Sequence, residues 1–216
     1  MTFEEMAREA AHAADDAVTE AMNKYKEGGV TDEDDLTGVL VGRLDSALEG
    51  QIGGLTWNTT VVRHRRGRAA EERRTGADLV VHVSLDTSTE RYSKGVLVQA
   101  KRKNPDDRMS RNEHAELWRQ CRDMLNITPA AFIFDYVKGW MRVGPATRIA
   151  GSRRLDLYHI CGWTSYRFFL ELFRCPIGDP KITSARVDDL PAPYALKISA
   201  TGDLSDDDYP LGPPSK

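Results

Sequence analysis

The chain has 216 residues, of which 40% are hydrophobic and 29% charged, with a formal net charge of -3. That length fits one domain, and the apolar share supplies a sizeable core, which excludes global disorder. The charge balance excludes a polycation, so any contact with nucleic acid must come from a local basic face.

In chain order, residues 3–27 are rich in Ala, Glu and Lys and read as a helix that ends at Gly28-Gly29. Thr31 is placed to cap a second helix with acids in its first turn. That helix carries an apolar stripe of Leu36, Val39, Leu40, Leu44, Ala47 and Leu48. Residues 55–62 read as a strand and 63–76 as a charged connection. Two apolar runs, Ala77–Leu85 and Gly95–Lys101, follow as a hairpin. An amphipathic helix is predicted over 111–125, through Leu117, Trp118, Cys121, Met124 and Leu125. Strands are predicted at 130–136 and 139–144, a helix at 165–175 stopped by Pro176, and a last strand at 194–200. The order predicts an α/β or α+β chain with a mixed central sheet flanked by helices. Residues 1–200 are expected to form one domain, with 1–30 as an extra N-terminal helix and 32–145 as the core. The acidic, Pro/Gly-rich residues 201–216 read as a flexible tail.

The three cysteines, Cys121, Cys161 and Cys175, form no C-x-x-C pair and are odd in number. A disulfide framework or a structural zinc site is not expected, and a reducing cytoplasm is. The acidic N-terminus lacks the apolar region of a signal peptide, and no apolar run approaches the roughly 20 residues of a membrane span.

The hairpin carries the chemistry. Side chains alternate along a strand, so Asp78, Val80, His82 and Ser84 share one face, as do Leu97, Gln99 and Lys101. A hairpin symmetric about residues 89–90 would set Asp78 opposite Lys101 and Val80 opposite Gln99. An acid, an amide and a lysine then converge at its open end. A carboxylate, an amide oxygen and backbone carbonyls are hard ligands suited to Mg²⁺ or Mn²⁺, and a lysine beside them can orient a water or stabilise charge on a phosphate. The plainer alternative is an Asp78–Lys101 cross-strand ion pair beside a surface glutamine.

Two further features bear on the choice. At about 100° per residue, Glu33 falls within the apolar stripe of its helix while Asp32, Asp34 and Asp35 point away. An inward-facing glutamate needs a partner. Basic residues flank the hairpin on both sides: Arg63, His64, Arg65, Arg66, Arg68, Arg73 and Arg74 before it, and Lys101, Arg102, Lys103, Arg108 and Arg111 after it. Such clusters match a phosphate backbone, or else a solvated loop. His82, a lone strand histidine, reads as a partnered structural residue. Trp118, Trp140, Trp163 and Phe168-Phe169 read as core.

These residues resemble the PD-(D/E)xK nuclease superfamily, the restriction-endonuclease-like fold. Gly76-Ala77-Asp78 is similar to its first strand motif, and Gln99-Ala100-Lys101 to a Q-x-K form of the second, as in the Mrr-like branch. The stretch ERRTGAD resembles an E-x-x-T-G-A-D signature, which adds Glu72, and the helix bearing WRQCRDM resembles a following helix in which Gln120 reaches the site. The resemblance covers residues 32–136 and departs from the family pattern at Gly76-Ala77, where Pro precedes the Asp, and at Gln99, where an acid is usual. It implies a metal-dependent endonuclease acting on DNA, with a place in restriction or anti-phage defence, as a homodimer or within a larger complex. The implied metal ligands are Asp78, Gln99, the Ala100 carbonyl and Glu33, with Lys101 and Glu72 as further catalytic groups. Arg63, Arg65, Arg66, Arg68, Arg102, Lys103, Arg108 and Arg111 would hold the nucleic acid. The alternative is a nuclease-fold binding module or structural subunit with weak or lost catalysis, which Gln99 permits.

Overall fold

The structure, a computed structural model, describes residues 1–63 and 75–204. The elements in chain order are α1 (Phe3–Lys26), α2 (Glu33–Ala47), β1 (Gly50–Ile52), β2 (Leu55–Arg63), β3 (Leu79–Thr87), β4 (Arg91–Lys101) and α3 (Arg111–Ile127). After these come β5 (Ala131–Val137), β6 (Trp140–Pro145), α4 (Ala146–Ala150), α5 (Leu157–Ile160), β7 (Trp163–Thr164), α6 (Ser165–Phe173), α7 (Ser184–Asp189) and β8 (Tyr194–Gly202). The strands form one eight-stranded mixed sheet in the order β1-β2-β8-β3-β4-β5-β6-β7. The fold is α/β, with helices on both faces.

Alternation along the strands divides the core in two. Leu79, Val81, Val83, Val96, Val98, Phe132 and Phe134 pack on one face against α1, α2 and α6. Val80, Leu97, Ala131, Ile133 and Ala195 face the other way and pack against α3, α4, α5 and α7. α1 begins with a full capping box between Thr2 and Glu5, and all its alanines but the half-buried Ala13 are buried, so this helix is part of the first layer. α2 is capped by Asp32 rather than Thr31: the Asp32 carboxylate accepts from the Asp34 and Asp35 amides. α3 carries a second capping box, between Ser110 and Glu113.

β8 inserts between β2 and β3, antiparallel to the first and parallel to the second, and β5 runs parallel to β4. One edge of the sheet therefore gathers the end of β2 at Arg63, the start of β8 at Tyr194, the start of β3 beside Asp78, the end of β4 at Lys101 and the β5–β6 turn at Lys138.

Several expectations are corrected. The hairpin turns two residues' worth of register earlier than assumed: Val80 pairs with Leu97 and Leu79 with Val98, which places Asp78 opposite Gln99, not Lys101. The cause lies in the turn. The Thr87 hydroxyl and amide bond to Glu90 and close the loop on Ser88-Thr89. Trp118 and Trp140 are not core residues, at 36% and 46% exposed. The Trp118 indole donates to the Ala150 carbonyl at 3.0 Å, and the Arg122 guanidinium lies over its ring. β8 runs through Gly202, two residues into the expected tail. His82, by contrast, is the partnered structural residue expected: it is buried and bonded to the Ser93 hydroxyl at 2.9 Å, and burial pushes its pKa down to about 4.

Candidate active site

Asp78 sits just before β3, where its amide donates to the Val98 carbonyl and its carbonyl accepts from the Tyr194 amide. Its carboxylate turns toward β4. One oxygen, Oδ2, accepts from the Ala100 amide at 2.9 Å and from the Gln99 side-chain amide. The same Gln99 Nε2 donates to the Ala100 carbonyl at 3.0 Å. Gln99 is 2% exposed, which removes the reading of a surface glutamine. The Asp78 carboxylate, the Ala100 carbonyl and the Gln99 amide thus meet at one point.

Lys101, two residues on and on the same face as Gln99, bonds to Glu33 Oε1 at 3.1 Å. The cross-strand ion pair with Asp78 is replaced by this pair across the end of the sheet. It joins α2, on one face, to β4. Glu33 is half-buried while Asp34 and Asp35 are exposed, as the helical phase of α2 requires. Burial raises the pKa of Glu33 even with Lys101 alongside. Burial also lifts the Asp78 carboxyl to about 7, against the pull of Lys101 and the Ala100 amide.

The other wall is α3. Gly76, Ala77, Asp78 and Gln99 share a cleft with Glu116, Arg119, Gln120 and Asp123. Gly76 adopts φ +66°, and a Cβ there would come within 2.4 Å of the Gln120 carbonyl oxygen, so only glycine lets the strand approach the helix this closely. Gln120 lines the cleft, and its Oε1 is buried without a hydrogen-bond partner among the described residues. A neighbouring cleft is lined by Glu33, Lys101, Arg102, Lys103, Glu113 and Glu116, so Glu116 belongs to both.

Sequence reasoning passed over Glu116, Arg119, Asp123 and Asp135. Glu116, Gln120 and Asp123 recur at helical spacing beside the apolar stripe of α3, and that polar stripe was the available signal. Asp135 is fully buried in β5, in register with Lys101. Its Oδ1 accepts from the Lys103 amide at 2.9 Å, its Oδ2 has no partner among the described residues, and burial lifts its pKa to about 8. A lone acid inside the apolar run AAFIFDY marked it.

The basic residues divide. Arg63 ends β2 with its guanidinium over the Tyr194 ring, at the same edge of the sheet. Arg102 donates to the Thr31 carbonyl. Lys103 is paired with Glu113 at 2.7 Å, and that bond holds the Glu113 carboxyl down at about 2. Arg108 and Arg111 are exposed. Glu72, Arg65, Arg66 and Arg68, together with His64, Arg73 and Arg74, lie outside the described residues.

The Asp78 carboxylate oxygen and the Ala100 carbonyl oxygen are hard donors, and both are held by the Gln99 side-chain nitrogen. Among the described residues no group of three or more His, Cys, Asp and Glu side chains is placed to hold a metal ion. What converges is one carboxylate oxygen, one backbone carbonyl oxygen and one amide, whose two ends exchange by a half-turn to present oxygen. Mg²⁺ keeps several waters and takes few protein ligands, and a hard-oxygen set of this kind would form here only with the Gln99 amide turned.

Searches against protein-family models, curated proteins and solved structures returned no match for this chain. Among the described residues, no helix is long and apolar enough to cross a membrane.

Proposed function

We propose that this chain is a metal-dependent phosphodiester hydrolase acting on nucleic acid, with DNA as the expected substrate, built on a restriction-endonuclease-like core. One observation carries the reading: the Asp78 carboxylate, the Gln99 amide and the Ala100 carbonyl meet at one point, with Lys101 on the next same-facing position of β4. This is the constellation that the resemblance to the PD-(D/E)xK nucleases implies for these positions.

Asp78, Gln99 and the Ala100 carbonyl would hold Mg²⁺ or Mn²⁺. Such an ion supplies a Lewis acid for a phosphoryl oxygen and lowers the pKa of a bound water. The protein's own groups do the rest. Glu33 fixes the Lys101 ammonium at the mouth of the cleft, where it can orient a water or neutralise charge on a phosphate. Gly76 lets α3 press against the start of β3, which brings Gln120 and Glu116 to the site. The three free cysteines suit a reducing cytoplasm.

A second reading, a nuclease-fold binding module with weak catalysis, is favoured by one detail. The Gln99 amide already satisfies both the Asp78 carboxylate and the Ala100 carbonyl, so the site is stable without a cation. Incubation with single- and double-stranded DNA and RNA, each with Mg²⁺, Mn²⁺ or EDTA, separates the two. Hydrolysis of any of them that EDTA abolishes supports the hydrolase. Binding without hydrolysis in every metal supports the module.

A further inference from the structure

The C-terminal turn of α1 lies beside the active site rather than away from it. Tyr25 and Lys26 line a groove with Arg102, Lys103, Arg108 and Lys138. These residues come from α1, the end of β4, the loop after it and the β5–β6 turn. The groove shares Arg102 and Lys103 with the cleft of Glu33 and Lys101, and that cleft shares Glu116 with the cleft of Asp78 and Gln99. The three clefts are therefore neighbours, linked through Arg102, Lys103 and Glu116.

Five cations line the groove against two acids, Asp106 and Asp107. The Asp107 carboxylate is engaged by the Asn104 amide and side chain, at 3.0 and 2.9 Å, and serves to close the loop. Lys103 is bound to Glu113. Lys26, Arg108 and Lys138 are exposed and form no ion pair among the described residues. Tyr25 is 7% exposed, and its ring takes the Arg102 guanidinium at 5.5 Å and the Lys138 ammonium at 6.0 Å. It is a buried shelf beneath two cations, too enclosed to stack on a base. Arg102 also donates to the Thr31 carbonyl, which leaves its remaining guanidinium N–H groups to face the groove.

We propose that this groove binds the phosphodiester backbone of the nucleic-acid strand next to the scissile phosphate, so that the end of α1 is part of the substrate surface. The inference rests on the phosphodiester-hydrolase reading and adds to it the place where the flanking phosphates lie.

The test is anisotropy of labelled single- and double-stranded DNA oligonucleotides in EDTA across a salt series, on the full chain. Lys26→Glu with Lys138→Glu is compared with Arg8→Glu with Arg91→Glu, which reverses two charges at the opposite ends of α1 and of the hairpin. The groove pair should weaken binding at least tenfold at low salt. It should also flatten the slope of log K against log salt by about 0.7–0.9 for each phosphate that is no longer neutralised. The control pair should change neither by as much as half of that. Tyr25→Leu, which keeps the site apolar but removes the shelf, should weaken binding a few-fold. Wild-type binding or cleavage with the groove pair indistinguishable from the control pair would overturn the groove alone. A wild-type protein that neither binds nor cleaves nucleic acid would overturn the groove together with the hydrolase reading.

Discussion

Gln99 donates its side-chain amide both to the Asp78 carboxylate and to the Ala100 carbonyl, so one nitrogen sits where the proposed function would place a cation. Beside the Asp78 carboxylate the neutral amide spares the metal-free site a second buried negative charge, and on the proposed function it would leave a cation one charged ligand fewer.

Gln99→Glu tests that trade. In EDTA the variant should lose about 1–3 kcal/mol of stability, because an amide donor to a buried carboxylate becomes a like charge. With Mg²⁺ or Mn²⁺ it should recover, and its metal affinity should rise about tenfold or more. Thermal melts with and without metal read both effects. A variant that melts like the wild type in EDTA and gains nothing from metal would place the cation elsewhere.

On the proposed function, metal uptake should depend on pH through Asp78. Its folded pKa of about 7 lies above the ordinary carboxyl value, so below pH 7 the folded protein holds a proton that the unfolded chain releases. In EDTA the stability contribution of Asp78 is fully present below the ordinary carboxyl range and is lost as the pH rises to about 7, with no further change above. Metal binding requires the carboxylate, so affinity should fall about tenfold per unit below pH 7 and level off above it. Calorimetric titration of Mn²⁺ from pH 5.5 to 8.5 measures this, and Asp78→Asn should remove the dependence together with the affinity.

Glu33 and Asp35 lie in the same turn of α2 but should differ. Glu33→Gln loses the charged partner of Lys101 and should lower the cleavage rate by at least tenfold, whereas exposed Asp35→Asn should stay within twofold. Equal losses would mean that the turn matters only through its charge.

Gly76→Ala should fail for a backbone reason. The left-handed φ and the 2.4 Å approach of a Cβ to the Gln120 carbonyl oxygen both resist any side chain. The expected cost is about 2–4 kcal/mol, read by urea denaturation, with the cleft between β3 and α3 opened. A loss below about 0.5 kcal/mol would show that α3 moves aside freely.

Much of this was legible in the chain because periodicity reports faces directly. Alternation put Asp78, Gln99 and Lys101 on one side of the sheet, and the phase of α2 singled out Glu33. The register was wrong by two residues, since nothing in the pattern marks Thr87 as the residue that closes the turn. An even slip keeps every side chain on its face, so the constellation survived while its pairing changed from Asp78–Lys101 to Asp78–Gln99. The insertion of β8 between β2 and β3 was not legible, because it joins segments more than 100 residues apart in the chain and leaves no local signal. The same topology brings Arg63 to the Asp78 edge. Asp135 and Glu116 escaped notice because a buried acid and a polar stripe acquire meaning only once a neighbouring element faces them.

The most direct measurement is paired cleavage and binding by wild type, Asp78→Ala and Lys101→Ala on one nucleic-acid substrate in Mg²⁺, with binding read in EDTA. The account predicts that both variants lose cleavage by at least a hundredfold while their affinities stay within about threefold of wild type, since neither residue lines the groove of Lys26, Arg108 and Lys138. Cleavage that persists in either variant, or that fails only in step with binding, would contradict it.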